Sequence, residues 1–253
     1  MGILFLKIVL TLFVVLGITW ATERFGGRVG AILSGFPNTM AVILLFYGLE
    51  NGGEFVAKTI PFGLAGLSAV LVFSATWAYS TNIIDLPIIN SFFAITIFAF
   101  AVYILQFFSF SIVSGFIIAV CSILFFGYIL HSQDVRPIQR KKVDAKEMIF
   151  RIVFILSVVL LITGFAKYWG VAISGFFSAF PVNLFPVLFI LHRRYGKNAI
   201  TTLLSHWPLK LFSIVGFLVS LALLVPFFPF VSAWGISLLL SIFITSVIVF
   251  LRI

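Results

Sequence analysis

The chain has 253 residues, 62% of them hydrophobic and 9% charged, with 33 phenylalanines and a formal net charge of +9. A soluble domain carries about 45–50% apolar and about 25% charged residues, so this balance excludes a soluble fold and makes lipid the solvent for most of the chain. The excess of bases then reads as a topology signal in loops and not as a nucleic-acid surface, and a single cysteine, Cys121, excludes an intramolecular disulfide or a cysteine metal cluster.

At about 1.5 Å rise per residue, about 20 apolar residues cross a hydrocarbon core of about 30 Å. Apolar runs between polar or Gly/Pro punctuation predict nine spans, at 3–22, 28–49, 60–80, 87–105, 108–130, 148–167, 170–191, 208–226 and 230–251. The segment Met1 to Trp20 has no basic stretch ahead of its apolar run and no small-residue cleavage site, so it reads as the first span and not as a signal peptide. Leu6 stands where N-myristoylation would require Ser or Thr. The run 87–130 is too long for one crossing and divides at the polar dent from Gln106 to Ser111.

The longest polar stretch, His131 to Glu147, carries Arg136, Arg140, Lys141, Lys142 and Lys146, which places it in the cytoplasm. Alternation from there puts thirteen of the sixteen bases inside, Lys58 and Lys167 outside, and Lys7 within the first span. The expected arrangement is a multi-pass protein of the inner (plasma) membrane with its N-terminus outside and its C-terminus cytoplasmic. Lys7 is expected to snorkel to the outer interface, with Glu50 and Glu54 in a solvated outer loop. Asp85, just before Pro87, reads as a helix cap at the cytoplasmic mouth. His131, His192 and His206 fall at cytoplasmic helix ends without the spacing of a metal pair and read as interfacial. Trp20, Trp77, Trp169, Trp207 and Trp234 lie near span ends, as an interfacial belt would have them. Nucleophile motifs, phosphate loops and dinucleotide fingerprints are absent, so neither an enzyme nor a cofactor or metal site is expected.

The two halves share a pattern. Ser34-Gly35-Phe36-Pro37-Asn38-Thr39 has a counterpart 144 residues on at Ser178-Ala179-Phe180-Pro181-Val182-Asn183, and the same offset carries Gly26 onto Gly170. Asn51-Gly52 falls near Tyr195-Gly196, and a three-residue shift then brings Pro61 onto Pro208. Each copy reads as one span, the Ser-x-Phe-Pro span, a gap of polar-leaning residues and two more spans. The expected fold is therefore all-α: two four-helix repeats (1–106 and 148–253) and a segment 107–147 that supplies a connecting helix and the basic loop. Four spans plus one connector reverse the direction in which the second copy enters the membrane, so the repeats are expected to be inverted, as in many secondary transporters.

Proline inside a helix removes a backbone donor and clashes with the preceding turn, so both spans should open before Pro37 and Pro181, loosened further by Gly35. Carbonyls freed at membrane depth need protein or ligand partners. Ser34, Asn38 and Thr39 in one copy and Ser178 and Asn183 in the other stand where they could line a shared polar cavity. Helix N-termini restarting there favour anions, and opened carbonyls favour cations.

The stretch Gly26 to Ser80, with its Gly-rich start and the Ser34-Gly35-Phe36-Pro37-Asn38-Thr39 core, resembles the small four-helix GlpM-like membrane proteins, as does 170–226 more distantly. The resemblance implies one such four-helix unit per half, with Thr39 closest to the small polar residue that follows Phe-Pro in that family; the second copy has Asn183 there. It implies no substrate.

These readings converge on a transporter working by alternating access on a small polar or anionic solute or ion, with the bilayer as its constant partner, no nucleic acid, and homo-oligomerisation left open. A channel or a lipid-handling protein of the flippase or scramblase kind is the alternative, and a non-transporting scaffold subunit the third reading.

Overall fold

The computed structural model describes residues 2–131, 144–205 and 207–250; in the first helix the side chains at 18, 19, 21–23 and 25–35 lie outside the description. The described residues form ten helices and no strand. In chain order these are α1 (Gly2–Gly35), α2 (Asn38–Asn51), α3 (Gly53–Ile83), α4 (Pro87–Leu105), α5 (Ile112–His131), α6 (Ala145–Ser178), α7 (Leu184–Tyr195), α8 (Lys197–Ser205), α9 (Trp207–Leu224) and α10 (Phe230–Phe250). Six of them, α3, α4, α5, α6, α9 and α10, are long and apolar enough to cross a membrane, and Gly2–Gly17 within α1 is a shorter apolar stretch. The protein is thus an all-helical, multi-pass membrane protein. Most of the basic loop, 132–143, and Arg252 lie outside the described residues.

Proline and glycine set the helix boundaries more than polarity does. The expected end of a first span near residue 22 is not a helix end: helix runs on to Gly35 and stops before Pro37. In the second half α6 also runs 34 residues, but bends at Gly170, whose φ of 72° and ψ of 179° lie outside the helical region. That bend falls at the expected boundary between 167 and 170. The expected polar gaps after each Ser-x-Phe-Pro span are corrected to one-residue turns at Gly52 (φ 88°) and Gly196 (φ 70°), a left-handed region that only glycine enters without strain. Helix resumes at once, so α3 begins at Gly53 and holds Pro61 inside it. The split of 87–130 is present, α4 ending at Leu105 and α5 starting at Ile112.

Helix α3 is the hub, with α2, α4, α5, α6, α8 and α9 packed on it. Its Leu64, Phe73 and Trp77 are fully buried. The outward surface is apolar instead: Phe13, Phe92, Phe107, Phe227 and Phe243 are each more than 60% exposed, as befits side chains whose solvent is hydrocarbon. Trp77 is therefore core and not a lipid-facing belt residue, while Trp20 is 60% exposed but stands in the middle of α1 and not at a helix end.

Helix pairings recur between the halves. The α3–α4 pair has its likeness in α9–α10, and α4 packs against α7 as α10 packs against α2. Helix α5 lies against both α3 and α9 and meets each at a proline. A Cβ on Gly115 would stand 2.6 Å from the Pro61 carbonyl oxygen, and one on Gly127 would stand 3.9 Å from Pro208 Cβ. Small residues at these crossings let the backbones approach closely where no hydrophobic force drives helices together.

Candidate functional site at two helix breaks

Both Phe-Pro segments are broken in the same way. At the first, the Asn38 amide donates back to the Phe36 carbonyl at 2.7 Å and the Ala41 amide to the Pro37 carbonyl at 2.7 Å. At the second, the Val182 amide donates to Phe180 at 2.7 Å and the Phe185 amide to Pro181 at 2.9 Å. Each bond is repeated at the 144-residue offset. The missing proline N–H forbids the ordinary i to i−4 bond, and the chain closes a tight turn before helix restarts.

The breaks adjoin across α3. The position a Cβ would take on Gly63 lies 3.3 Å from Met40 Cε, beside the first break, and 3.4 Å from Ser178 Oγ, beside the second. Gly175 is pressed against the Thr59 carbonyl and, at 3.2 Å from its own would-be Cβ, the Gly63 nitrogen. A Cβ on Gly66 would meet Ala179 Cβ at 3.0 Å. Tyr47 of α2, wholly buried, donates its hydroxyl to the Ser174 carbonyl at 3.1 Å, tying the first half to the segment beyond the Gly170 bend. Trp234 of α10 donates its indole N–H to the Ala41 carbonyl at 2.9 Å, just after the first break.

Of the expected site residues, Asn38 is buried at 6% exposure and Pro37 and Pro181 are buried with it; Thr39 is half-buried. Ser178, at 2% exposure, turns its hydroxyl onto the Gly175 carbonyl at 2.7 Å, so it satisfies its own helix. Asn183 accepts from Arg151 Nη2 at 2.8 Å. Gly35 ends α1, and the Ser34 side chain lies outside the described residues.

Four charged or polar groups take roles different from those expected. Lys7 does not snorkel: it is 5% exposed, places Nζ 2.8 Å from Glu50 on α2, and sits 5.7 Å from the Phe46 ring centroid. Arg151, expected only as a topology marker, reaches Asn183, while its Nε is buried with no hydrogen-bond acceptor among the described residues. Asp85 does not cap α4, whose N-cap is Leu86; its carboxylate lies 2.6 Å from His192 Nε2. His192 is packed inside the bundle at 3% exposure, with Trp77 Nε1 donating to its Nδ1 at 3.4 Å. An indole N–H can only donate, so Nδ1 must be the acceptor and Nε2 carries the proton given to Asp85.

One signal in the sequence could have found the first two. The 144-residue offset maps Lys7 onto Arg151 and Glu50 onto Arg194, so the same two positions carry charge in both halves. Arg194 donates Nη1 to Glu147 on α6 at 3.0 Å, so in each half the end of the short helix is pinned to the start of the long one. Between the second break and His192 the wall is aromatic: Phe154 stacks on Phe185 at 4.6 Å, and Phe185 meets Trp77 edge-on at 5.7 Å.

A separate cavity of about 300 Å³ between α9 and α10 is lined by Leu209, Phe212, Phe243, Ile244, Val247 and Ile248. It offers a polar solute no partner. Among the described residues there is no group of three or more His, Cys, Asp or Glu able to hold a metal. Comparison with protein-family models, curated proteins and solved structures finds no match.

Proposed function

We propose that the chain is a secondary-type transporter of nine crossings, in which two inverted four-helix repeats, joined by α5, move against each other around the paired breaks. The observation that carries this reading is the pair of Phe-Pro turns, alike in hydrogen bonding at a constant offset and adjoining at Gly63. Irregular backbone at membrane depth is tolerated where protein or a cavity covers it, and paired broken helices are how transporters of this architecture hold solute.

Contacts far apart in sequence support the crossing count. Lys7 touches Glu50, so α1 and α2 together leave one membrane face and return to it; Glu147 touches Arg194, so α6 and α7 do the same. Helix α3 then carries the chain to the opposite face at Asp85, which touches His192, three residues from the end of α7. The first excursion therefore starts from the face opposite to the second, and this is what inversion means. The positive-inside bias makes the His192 face cytoplasmic and the N-terminus external. The half-chain resemblance to GlpM-like proteins fits a duplication of one four-helix unit.

Uptake into proteoliposomes tests the reading. Saturable, solute-specific flux abolished by alanine at both Asn38 and Asn183 supports it, and flux unchanged in that double variant refutes the site. Current linear in driving force favours a channel instead. With Cys121 replaced by alanine, a cysteine placed within 52–57 should react with an impermeant reagent only from outside and one within 133–145 only from inside; reversed labelling overturns the orientation.

A further inference from the structure

We infer that Arg151 and Asn183 form the cationic half of a binding site for an oxyanion, a carboxylate or phosphate group, beside the second helix break. The inference rests on the transport reading only for its role in a cycle; the binding chemistry stands on the local geometry.

The comparison between the halves is the starting point. Lys7 and Arg151 hold equivalent positions 144 residues apart, but Lys7 is neutralised by Glu50, 2.8 Å away. The position equivalent to Glu50 is Arg194, so the second half cannot close its cation in the same way. Glu147, one turn before Arg151, has an oxygen bound by Arg194 Nη1 at 3.0 Å. Among the described residues Arg151 makes one hydrogen bond, to a neutral amide, and no ion pair. A guanidinium has five N–H donors, so most of its capacity is unused, and its Nε is buried.

Its direction is equally informative. A long cationic side chain near a helix end ordinarily extends toward the interface. Arg151 instead reaches Asn183, which stands at the start of α7, about 17 Å along that helix from its cytoplasmic end. Reaching into the membrane without a carboxylate partner is costly, and it is offset when a ligand supplies the missing charge and acceptors. A planar guanidinium matches two oxygens of a carboxylate or phosphate at once. The positive end of the twelve-residue α7 adds charge of the same sign, and the stacked Phe154 and Phe185 rings supply an apolar wall for the rest of the solute.

The test uses the full chain in neutral detergent and reads its Tm with sodium phosphate, succinate or dioctanoyl phosphatidic acid, each against chloride at matched ionic strength. The expected result is a saturable rise that is lost in Arg151→Gln and retained in Arg193→Gln, an exposed neighbour. Asn183→Asp places a carboxylate where Arg151 already donates. It should raise Tm without added anion and abolish the response, reproducing the closed Lys7–Glu50 arrangement, and it decides the matter if Arg151→Gln does not fold. A response to phosphate or succinate assigns a soluble solute; a response to phosphatidic acid alone assigns a lipid headgroup. The inference is overturned if no probe raises Tm in the native chain, or if the rise survives in Arg151→Gln or Asn183→Asp. Binding lost in these variants, without flux of the same anion in proteoliposomes, would sink the transport reading and leave the site standing.

Discussion

Replacing Glu50 by glutamine leaves the Lys7 ammonium beneath Phe46 without its counter-charge, in a place where 5% of the residue is exposed. Removing one partner of a buried pair costs about 3–5 kcal/mol. Glutamine keeps one acceptor oxygen and Phe46 contributes about 0.5–2 kcal/mol as a cation–π partner, so the expected loss is about 2–3 kcal/mol. Lys7→Met leaves Glu50, whose side chain is 23% exposed and partly hydrated, and should cost less, about 1–2 kcal/mol. The double variant Lys7→Met/Glu50→Leu buries apolar groups in place of both charges and should lie within about 1 kcal/mol of the native chain. Reversible unfolding in mixed detergent micelles, followed by tryptophan fluorescence, measures all three and gives the coupling energy directly. Additive single effects, each below about 0.5 kcal/mol, would mean that the pair behaves as a solvated surface bridge, and the reasoning about a closed first half would fail.

Three further outcomes follow from particular contacts. Gly175→Ala drives a methyl into the backbone of Thr59 and the side chain of Phe62 and should cost about 3 kcal/mol or more, whereas Gly63→Ala meets the flexible end of Met40 and should cost less than about 1 kcal/mol; equal Tm values would contradict the close α3–α6 crossing. Alanine at Gly52 or Gly196 finds open space or near-open space but a backbone region glycine alone occupies freely, so each should lose about 1–3 kcal/mol and the double variant about the sum; a loss at one position alone would break the equivalence of the turns. Trp77→Phe removes the indole donor that fixes His192 and should cost about 1 kcal/mol, and Asp85→Asn about 1–2 kcal/mol because its carboxylate is 56% exposed; a gain in Tm for either would mean that the buried histidine is not held by this chain of hydrogen bonds.

Much of the fold is written locally. The breaks fall at Pro37 and Pro181, each of which lacks an N–H and follows a Ser-x-Phe segment, whereas Pro61 stays inside α3; the turns at Gly52 and Gly196 fall at two glycines. Apolar length by itself places α4 and α10, and the recurrence of Ser-x-Phe-Pro at a fixed offset anticipates the matched hydrogen bonding of the two breaks. Polarity was the misleading guide: Asn51 and the residues after Gly196 read as loop but are helical, because helix satisfies every backbone group internally and lipid penalises any alternative.

The fates of the polar side chains were decided by tertiary structure. Ser178 is a candidate ligand by sequence and satisfies its own helix in the fold, while Arg151 is a topology marker by sequence and in the fold a half-buried guanidinium, with its Nε buried, bonded to Asn183 beside the second break. Lys7 finds Glu50 43 residues away, and His192 finds Asp85 at a separation of 107. Backbone breaks and crossing lengths are properties of a residue and its near neighbours, so they survive in a one-dimensional reading. Whether a charge is neutralised depends on which distant helix lies opposite it in a medium that cannot solvate it, and only the packed bundle determines that.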